Sequence, residues 1–243
     1  MERIQKVISD YGYCSRRKAE QFLIDGQVKV NGEKITKLGY KVGPKDIIEV
    51  QGQPLEKQEK EYILLNKPRG VVTTTKDEKN RATVIDLIVS KKRLYPVGRL
   101  DYDTTGLLIL TNDGQLANLI MHPSNRIEKV YLVKIKGILN QTAIKKLEQG
   151  ILIEGTMTSK AKVRVLKTDK KKDVSMVELI IYEGRNQQVK KMFSAVGHDI
   201  LKLKRERISF LTLGDLKMGE YRYLNNKEIK KLYNEVLVRS KLK

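Results

Sequence analysis

The sequence predicts an α+β protein in two unequal parts: a small N-terminal domain of helices and short strands at residues 1–50, and a larger domain at 61–243 built on a mixed β-sheet with flanking helices. Three observations predict it. A chain of 243 residues, 40% of them hydrophobic, is long enough for two domains and apolar enough to give each a core. Residues 51–60, QGQPLEKQEK, hold a proline, no β-branched residue and little to bury, which marks a linker. Beyond Tyr62, strand-like and helix-like runs are interspersed and several strands follow one another directly, which suits an α+β sheet and not a doubly wound one.

The elements follow in order. Ile4, Val7, Ile8 and Tyr11 recur at helical spacing, so a short amphipathic helix runs up to Gly12. Ser15 is a natural N-cap for a second helix, whose buried face is Ala19, Phe22 and Leu23 and whose stop is Asp25-Gly26. Val28 and Val30 alternate with polar residues, Asn31-Gly32 is the turn that right-twisted hairpins prefer, and Lys34-Ile35-Thr36 returns. A further strand, Ile47 to Val50, follows Gly43-Pro44. In the larger domain, strands are expected at 62–66, 130–137, 151–155, 161–167, 174–184, 199–204 and 208–213. Helices are expected around 83–90, 115–121, 141–149, 187–196 and 227–238, and the lysine run at 167–173 reads as a solvated hairpin tip.

Composition narrows the function. Lys and Arg number 49 against 29 Asp and Glu, a formal charge of +20, which points to a polyanionic partner. The charge is spread along the chain and not gathered on one amphipathic helix, which favours nucleic acid over an anionic membrane surface. Cys14 is the single cysteine and His122 and His198 are the only histidines, so neither a disulfide framework nor a structural zinc site is expected. No run approaches the ~20 apolar residues of a membrane span and the N-terminus lacks an apolar signal core, so a cytoplasmic protein is expected.

Arg16, Arg17 and Lys18 fall in the first turn of the second helix, where the macrodipole disfavours cations by a few tenths of a kcal/mol each. An external anion would justify the placement, since free backbone N–H groups and an arginine fork both suit phosphate; a plain solvated charge run would not need one. Residues 1 to 50, with the S-R-R-K-A-E helix start and D-G-x-V-x-V-N-G, closely resemble the S4 RNA-binding domain. The resemblance implies that Ser15, Arg16, Arg17, Lys18 and the Lys29 to Lys34 hairpin form a face that grips structured RNA.

The segment 95–117, YPVGRLDYDTTGLLILTNDGQLA, is the most informative of the larger domain. A strand ending near Arg99 enters a polar loop, and the apolar run Leu107 to Leu110 closes at Asn112-Asp113-Gly114, so the loop is anchored at both ends. A carboxylate on such a loop beside an arginine is how a site keeps an acid ionised and aimed. An isolated Asp at 101 or 103 would more often just tighten a turn. The D-x-D-x-T-G pattern imitates a calcium loop but fails it, because Asn112 stands at the twelfth position and Ile109 at the ninth.

Several separated motifs settle the balance: LLNKPRGVVTT at 64–74, RATVIDLI at 81–88, GRLDYDTTGLLILTNDG at 98–114, EKVYLVKIKG at 128–137, EGRNQQVKKMFSAVGH at 183–198 and LKRERISFLTLGDLKMGEYR at 203–222. In order and spacing they resemble ribosomal RNA pseudouridine synthases of the RsuA/RluB type, a family that also carries an N-terminal S4 domain. QQVKKMF and LKRERISFL look more like the RluB branch, which modifies 23S rRNA, than the 16S branch. The resemblance implies conversion of uridine to pseudouridine: the C1′–N1 bond is cut, the uracil turns, and C5 is joined to C1′. By position in the motif, Asp101 is the catalytic aspartate, Arg99 holds the substrate strand, Tyr131 packs against the target base and Lys190 pairs with the aspartate. Relatives often carry arginine at this last place, and lysine gives up its fork. Asp103, Thr104 and Thr105 are read as loop-forming residues.

No redox change occurs and no group is added, so no cofactor and no metal are expected. Neither a Walker loop nor a G-x-G-x-x-G after a strand occurs in the sequence. The competing readings are a non-catalytic S4-domain RNA-binding or ribosome-assembly protein, whose GRLD loop would decay, and an S4-bearing methyltransferase, which would show a glycine-rich strand-to-helix turn. A monomer is the default expectation, and ribosomal RNA or a pre-ribosomal particle the expected partner.

Overall fold

A computed structural model describes residues 1–241, with side chains through Glu235. The chain forms two compact units, one of Met1–Glu61 with the short segments Ser90–Leu94 and Asn112–Gly114, the other of the remaining residues.

In the first unit, β1 (Glu2–Arg3) leads into α1 (Ile4–Asp10) and α2 (Arg16–Ile24), followed by β2 (Val28–Val30), β3 (Glu33–Lys34), β4 (Lys41–Val42), β5 (Ile48–Val50) and β6 (Gln53–Pro54). The N-cap expected of Ser15 is formed, its hydroxyl accepting from the Lys18 N–H at 3.2 Å. Asn31 and Gly32 both take positive φ, as the tight β2–β3 turn requires. Ile4, Ile8, Leu23, Val28 and Val50 are fully buried and knit the two helices to the sheet. The sheet order β3-β2-β5-β6 extends into the segment expected to be a linker. There Gln51 and Gly52 turn the chain at positive φ, and Gln53–Pro54 pairs with β5. Pro54 is tolerated because β6 is an edge strand. The β1/β4 pair, two residues each, is too short to leave a periodic signal.

The second unit is built on one mixed sheet. Its strands are β7 (Tyr62–Lys67), β8 (Tyr95–Val97), β9 (Thr105–Thr111), β10 (Lys129–Lys136), the small pair β11 (Leu152–Ile153) and β12 (Thr156–Met157), then β13 (Lys162–Asp169), β14 (Val174–Ile181), β15 (Ile200–Ile208), β16 (Leu211–Thr212) and β17 (Tyr221–Tyr223). Four helices accompany them: α3 (Gly114–Met121), α4 (Gln141–Gln149), α5 (Gln188–Ala195) and α6 (Asn226–Lys241). The main path runs β13-β14-β10-β15-β9-β7-β17. All its pairings are antiparallel except β15 with β9, where Arg205 lies beside Gly106. Gly106 has φ +106, and a Cβ there would stand 2.2 Å from the Arg205 carbonyl oxygen, so the G in T-G-L-L is dictated by strand contact. The 170–173 tip joins β13 to β14 as a hairpin, as expected.

Four expectations are corrected. Residues 83–90 form turns, not a helix: the Asp86 carboxylate accepts from both the N–H and the hydroxyl of Thr83, and Val84 donates to the Val72 carbonyl. A β-branched run beside a side-chain acceptor favours that local alternative. Thr105 is not a loop residue but opens β9, whose seven residues are all buried. The strand expected to end near Arg99 ends at Val97. Likewise 199–204 and the start of 208–213 merge into one nine-residue strand, β15, which ends where Ser209 takes φ +52.

Candidate active site

Loop 98–104 leaves β8 and enters β9, and three contacts fix it. The Thr73 hydroxyl donates to the Leu100 carbonyl at 2.6 Å, Gly70 N–H donates to the Tyr102 carbonyl at 2.9 Å, and Thr104 N–H closes a turn on the Asp101 carbonyl at 3.1 Å. Beneath it lies Lys67, the last residue of β7, with no solvent exposure at all. Its Nζ donates to three backbone carbonyls, Pro68 and Thr104 at 3.0 Å and Asp101 at 3.1 Å. Burial lowers its pKa to about 8, against the opposing pull of the Asp103 and Asp101 charges.

The Asp101 carboxylate emerges from this scaffold about one-third exposed and meets Lys190 Nζ at 3.3 Å. Lys190, on α5, lies closer to Asp103, at 2.6 Å. The expected pairing of Lys190 with Asp101 therefore exists but is shared, and Asp103 does more than shape the loop. A lysine offers three donors from a compact head and can serve two carboxylates at once. The Lys190 hydrogen bond holds the Asp103 carboxyl below its ordinary range. Burial pulls the Lys190 ammonium down, but the hydrogen bond to Asp103 and the two carboxylate charges outweigh it and leave its pKa raised.

Asp101 and Lys190 open on a cavity of about 430 Å³ lined also by Arg99, Tyr131, Lys129 and Arg205. The four residues the sequence singles out in this domain, Arg99, Asp101, Tyr131 and Lys190, are thus brought to one cavity from one loop, a strand and a helix. Tyr131 is 7% exposed on β10, directly across from Arg205 on β15. Arg205, 3% exposed, donates from Nε to the Leu107 carbonyl at 2.8 Å, while its Nη2 has no partner among the described residues. Burial lowers Lys129 to about 8, with Arg205 adding to the fall. The loop before α5 is braced by Gln188, which donates to Glu183 at 2.9 Å and accepts from Arg185 N–H at 3.0 Å. Among the described residues no cluster of three or more His, Cys, Asp or Glu could hold a metal ion.

Residues 61–195 match the family model described as RNA pseudouridylate synthase, and residues 2–48 match that of the S4 domain. The chain belongs to the RNA pseudouridylate synthase family. It is 51% identical over 233 residues to ribosomal large subunit pseudouridine synthase B of Bacillus subtilis (strain 168), covering 96% of each chain. It is 38% identical over 234 residues to the dual-specificity RNA pseudouridine synthase RluF of Escherichia coli (strain K12), covering 95% of this chain and 78% of that protein. A solved structure titled as a pseudouridylate synthase superposes with a TM-score of 0.69 at 34% identity, over 96% of this chain and 100% of the other.

As a pseudouridylate synthase, the chain isomerises uridine in RNA to pseudouridine. Lys67, Lys129 and Arg205 are not singled out by the sequence. Lys67 carried a usable signal, since a lysine closing the apolar run Tyr62–Leu65 must be buried with partners. In the S4 unit, Arg16, Arg17, Lys18, Lys29 and Lys34 are all exposed. Lys29 and Lys34 face each other across the β2–β3 hairpin, and Lys18 also lies over the Phe22 ring at 4.8 Å.

Proposed function

We propose that the substrate of this pseudouridylate synthase is ribosomal RNA of the large subunit and that Asp101 carries the chemistry. The observation behind the catalytic part is the shared ion pair: a carboxylate at the cavity wall, held on a loop whose carbonyls are tied to Lys67 and paired with Lys190 at 3.3 Å. An ionised carboxylate is what the reaction needs, whether it attacks the sugar or takes a proton from it. The target uridine must leave its stack to reach the cavity, which costs a few kcal/mol. Tyr131 offers a ring for the flipped base, and stacking returns ~1 to 3 kcal/mol. Arg99, exposed at the cavity rim, is placed to hold the strand beside it.

The large-subunit assignment rests on the 51% identity to the B. subtilis enzyme of that name. The S4 cations Arg16, Arg17, Lys18, Lys29 and Lys34, with the Ser15-capped helix start, serve as the anchor on structured RNA. The protein works in the cytoplasm, as a monomer and without a cofactor. Carbodiimide labelling of both ribosomal RNAs, from cells with and without the gene, tests the substrate: one stop in large-subunit RNA disappears with the gene. Loss of a stop in 16S RNA instead would move the assignment to the small subunit, and no change would refute ribosomal RNA as the substrate.

A further inference from the structure

In the half of the sheet formed by β13, β14, β10 and β15, the two faces have opposite character. Tyr131, Val133 and Ile135 alternate with Leu132, Lys134 and Lys136 along β10, and the first set is buried among Val177, Leu179 and Leu203 on the cavity side. The second set stays half-buried or exposed, as do its cross-strand neighbours Met176 and Glu178, so no described helix covers this face.

Cations dominate it. Cross-strand registration puts Arg164, Glu178, Leu132 and Lys204 in one row and Lys167, Met176, Lys134 and Lys202 in the next. Lys204 is neutralised by Glu206 at 2.7 Å, whereas Lys134, Lys202, Arg164 and Lys167 make no ion pair among the described residues. Lys134 stands directly opposite Lys202, and like charges in that position destabilise a sheet. Lysines on the edge strand β13 would be explained by protection against edge-to-edge pairing, but β10 and β15 are interior strands, where that need does not arise. A local rule broken without internal compensation marks a site that serves an external partner. The same juxtaposition, Lys29 opposite Lys34, occurs in the S4 hairpin.

We propose that this open face is a second RNA-binding surface, on the side of the sheet away from the cavity, which grips the phosphate backbone of a duplex segment of the RNA. The cations form two stripes, on β13 and on β10–β15, separated by β14 and hence about 10 Å apart at two strand spacings. The positions between and within the stripes carry aliphatic or charged side chains and no aromatic ring, so the face is built for backbone contact and not for base stacking. A-form duplexes are recognised in that way, through phosphates and shape across a shallow groove. An anionic membrane fits less well, because the exposed apolar side chains on these strands, Leu166 and Leu201, stand singly at the register shifts and form no continuous ridge.

The proposal rests on the ribosomal substrate only for the choice of probe. The full-length protein and a variant with Lys134→Gln, Lys202→Gln, Arg164→Gln and Lys167→Gln are compared on a large-subunit ribosomal RNA transcript, by filter binding across a potassium chloride series and by carbodiimide readout at saturating protein. The variant is expected to bind at least ~10-fold more weakly at physiological salt, with the log–log salt slope reduced by about 3, since each phosphate contact contributes ~0.7 to 0.9. Isomerisation at saturation should be unchanged. Equal affinity and slope in a folded variant overturn the proposal. If the variant does not fold, acetylation of the wild-type lysines decides: protection of Lys134 and Lys202 by the transcript supports the surface, and absence of protection, or protection by phosphatidylglycerol vesicles alone, overturns it. A wild-type protein that binds with the expected slope yet leaves the transcript unmodified counts against the substrate assignment and not against this surface.

Discussion

Asp101 and Asp103 carry the same carboxyl group two residues apart on one loop, and Lys190 contacts both. Charge therefore does not distinguish them, but placement does: Asp101 lines the cavity, while Asp103 lies outside its lining and is more exposed, at 49% against 34% of the side chain. Asp103→Asn removes the stronger of the two holds on Lys190 and leaves Asp101 as its single carboxylate. Turnover should fall by no more than about tenfold, because the reacting group and its counter-ion both persist, and single-turnover rates on ribosomal RNA check it. A loss as complete as that of a catalytic residue would show that Asp103 takes part in the chemistry. The sequence made the motif residues legible by resemblance, yet the sharing of Lys190 could not be read there. Spacing along the chain says nothing about which of two loop carboxylates a distant helix residue meets.

At the level of elements, the legible parts were those with local punctuation. Ser15, Asn31-Gly32 and Asp25-Gly26 marked the boundaries of the S4 unit because caps and tight turns are decided by a few adjacent residues. What failed turned on contacts that periodicity does not report: Pro54 completes a sheet with β5, and Thr83 and Val84 spend their hydrogen bonds on Asp86 and Val72 in place of a helix. Lys67 belongs to this scale, since it joins the end of β7 to the Asp101 loop by three hydrogen bonds. Lys67→Met keeps the bulk but leaves three carbonyls without their donor, at about 1 to 3 kcal/mol for each unsatisfied group. The melting temperature should drop by several degrees, at roughly 2 to 4 °C per kcal/mol for a chain of this size. An unchanged thermal melt would mean that the loop does not depend on this anchor.

For the whole molecule, the +20 charge is an instrument of capture, and chemistry occupies a small part of it. Arg16→Glu with Arg17→Glu reverses two exposed S4 cations without touching the cavity. The half-saturation constant for ribosomal RNA should rise while the single-turnover rate at saturation stays close to wild type, since contacts outside the reacting centre contribute mainly uniform binding. A collapsed rate with an unchanged half-saturation constant would contradict that division of labour. The proposed chemistry rests on Asp101, and the direct test is single-turnover release of tritium from large-subunit ribosomal RNA bearing 5-tritiated uridine, with filter binding of the same RNA in parallel. Formation of the C5–C1′ bond expels the C5 hydrogen, so release counts isomerisation itself. The full-length Asp101→Asn protein should bind the RNA with wild-type affinity and melt no lower than wild type, because active-site charges are kept at some cost to stability, yet release no tritium. Release at anything near the wild-type rate would contradict the account.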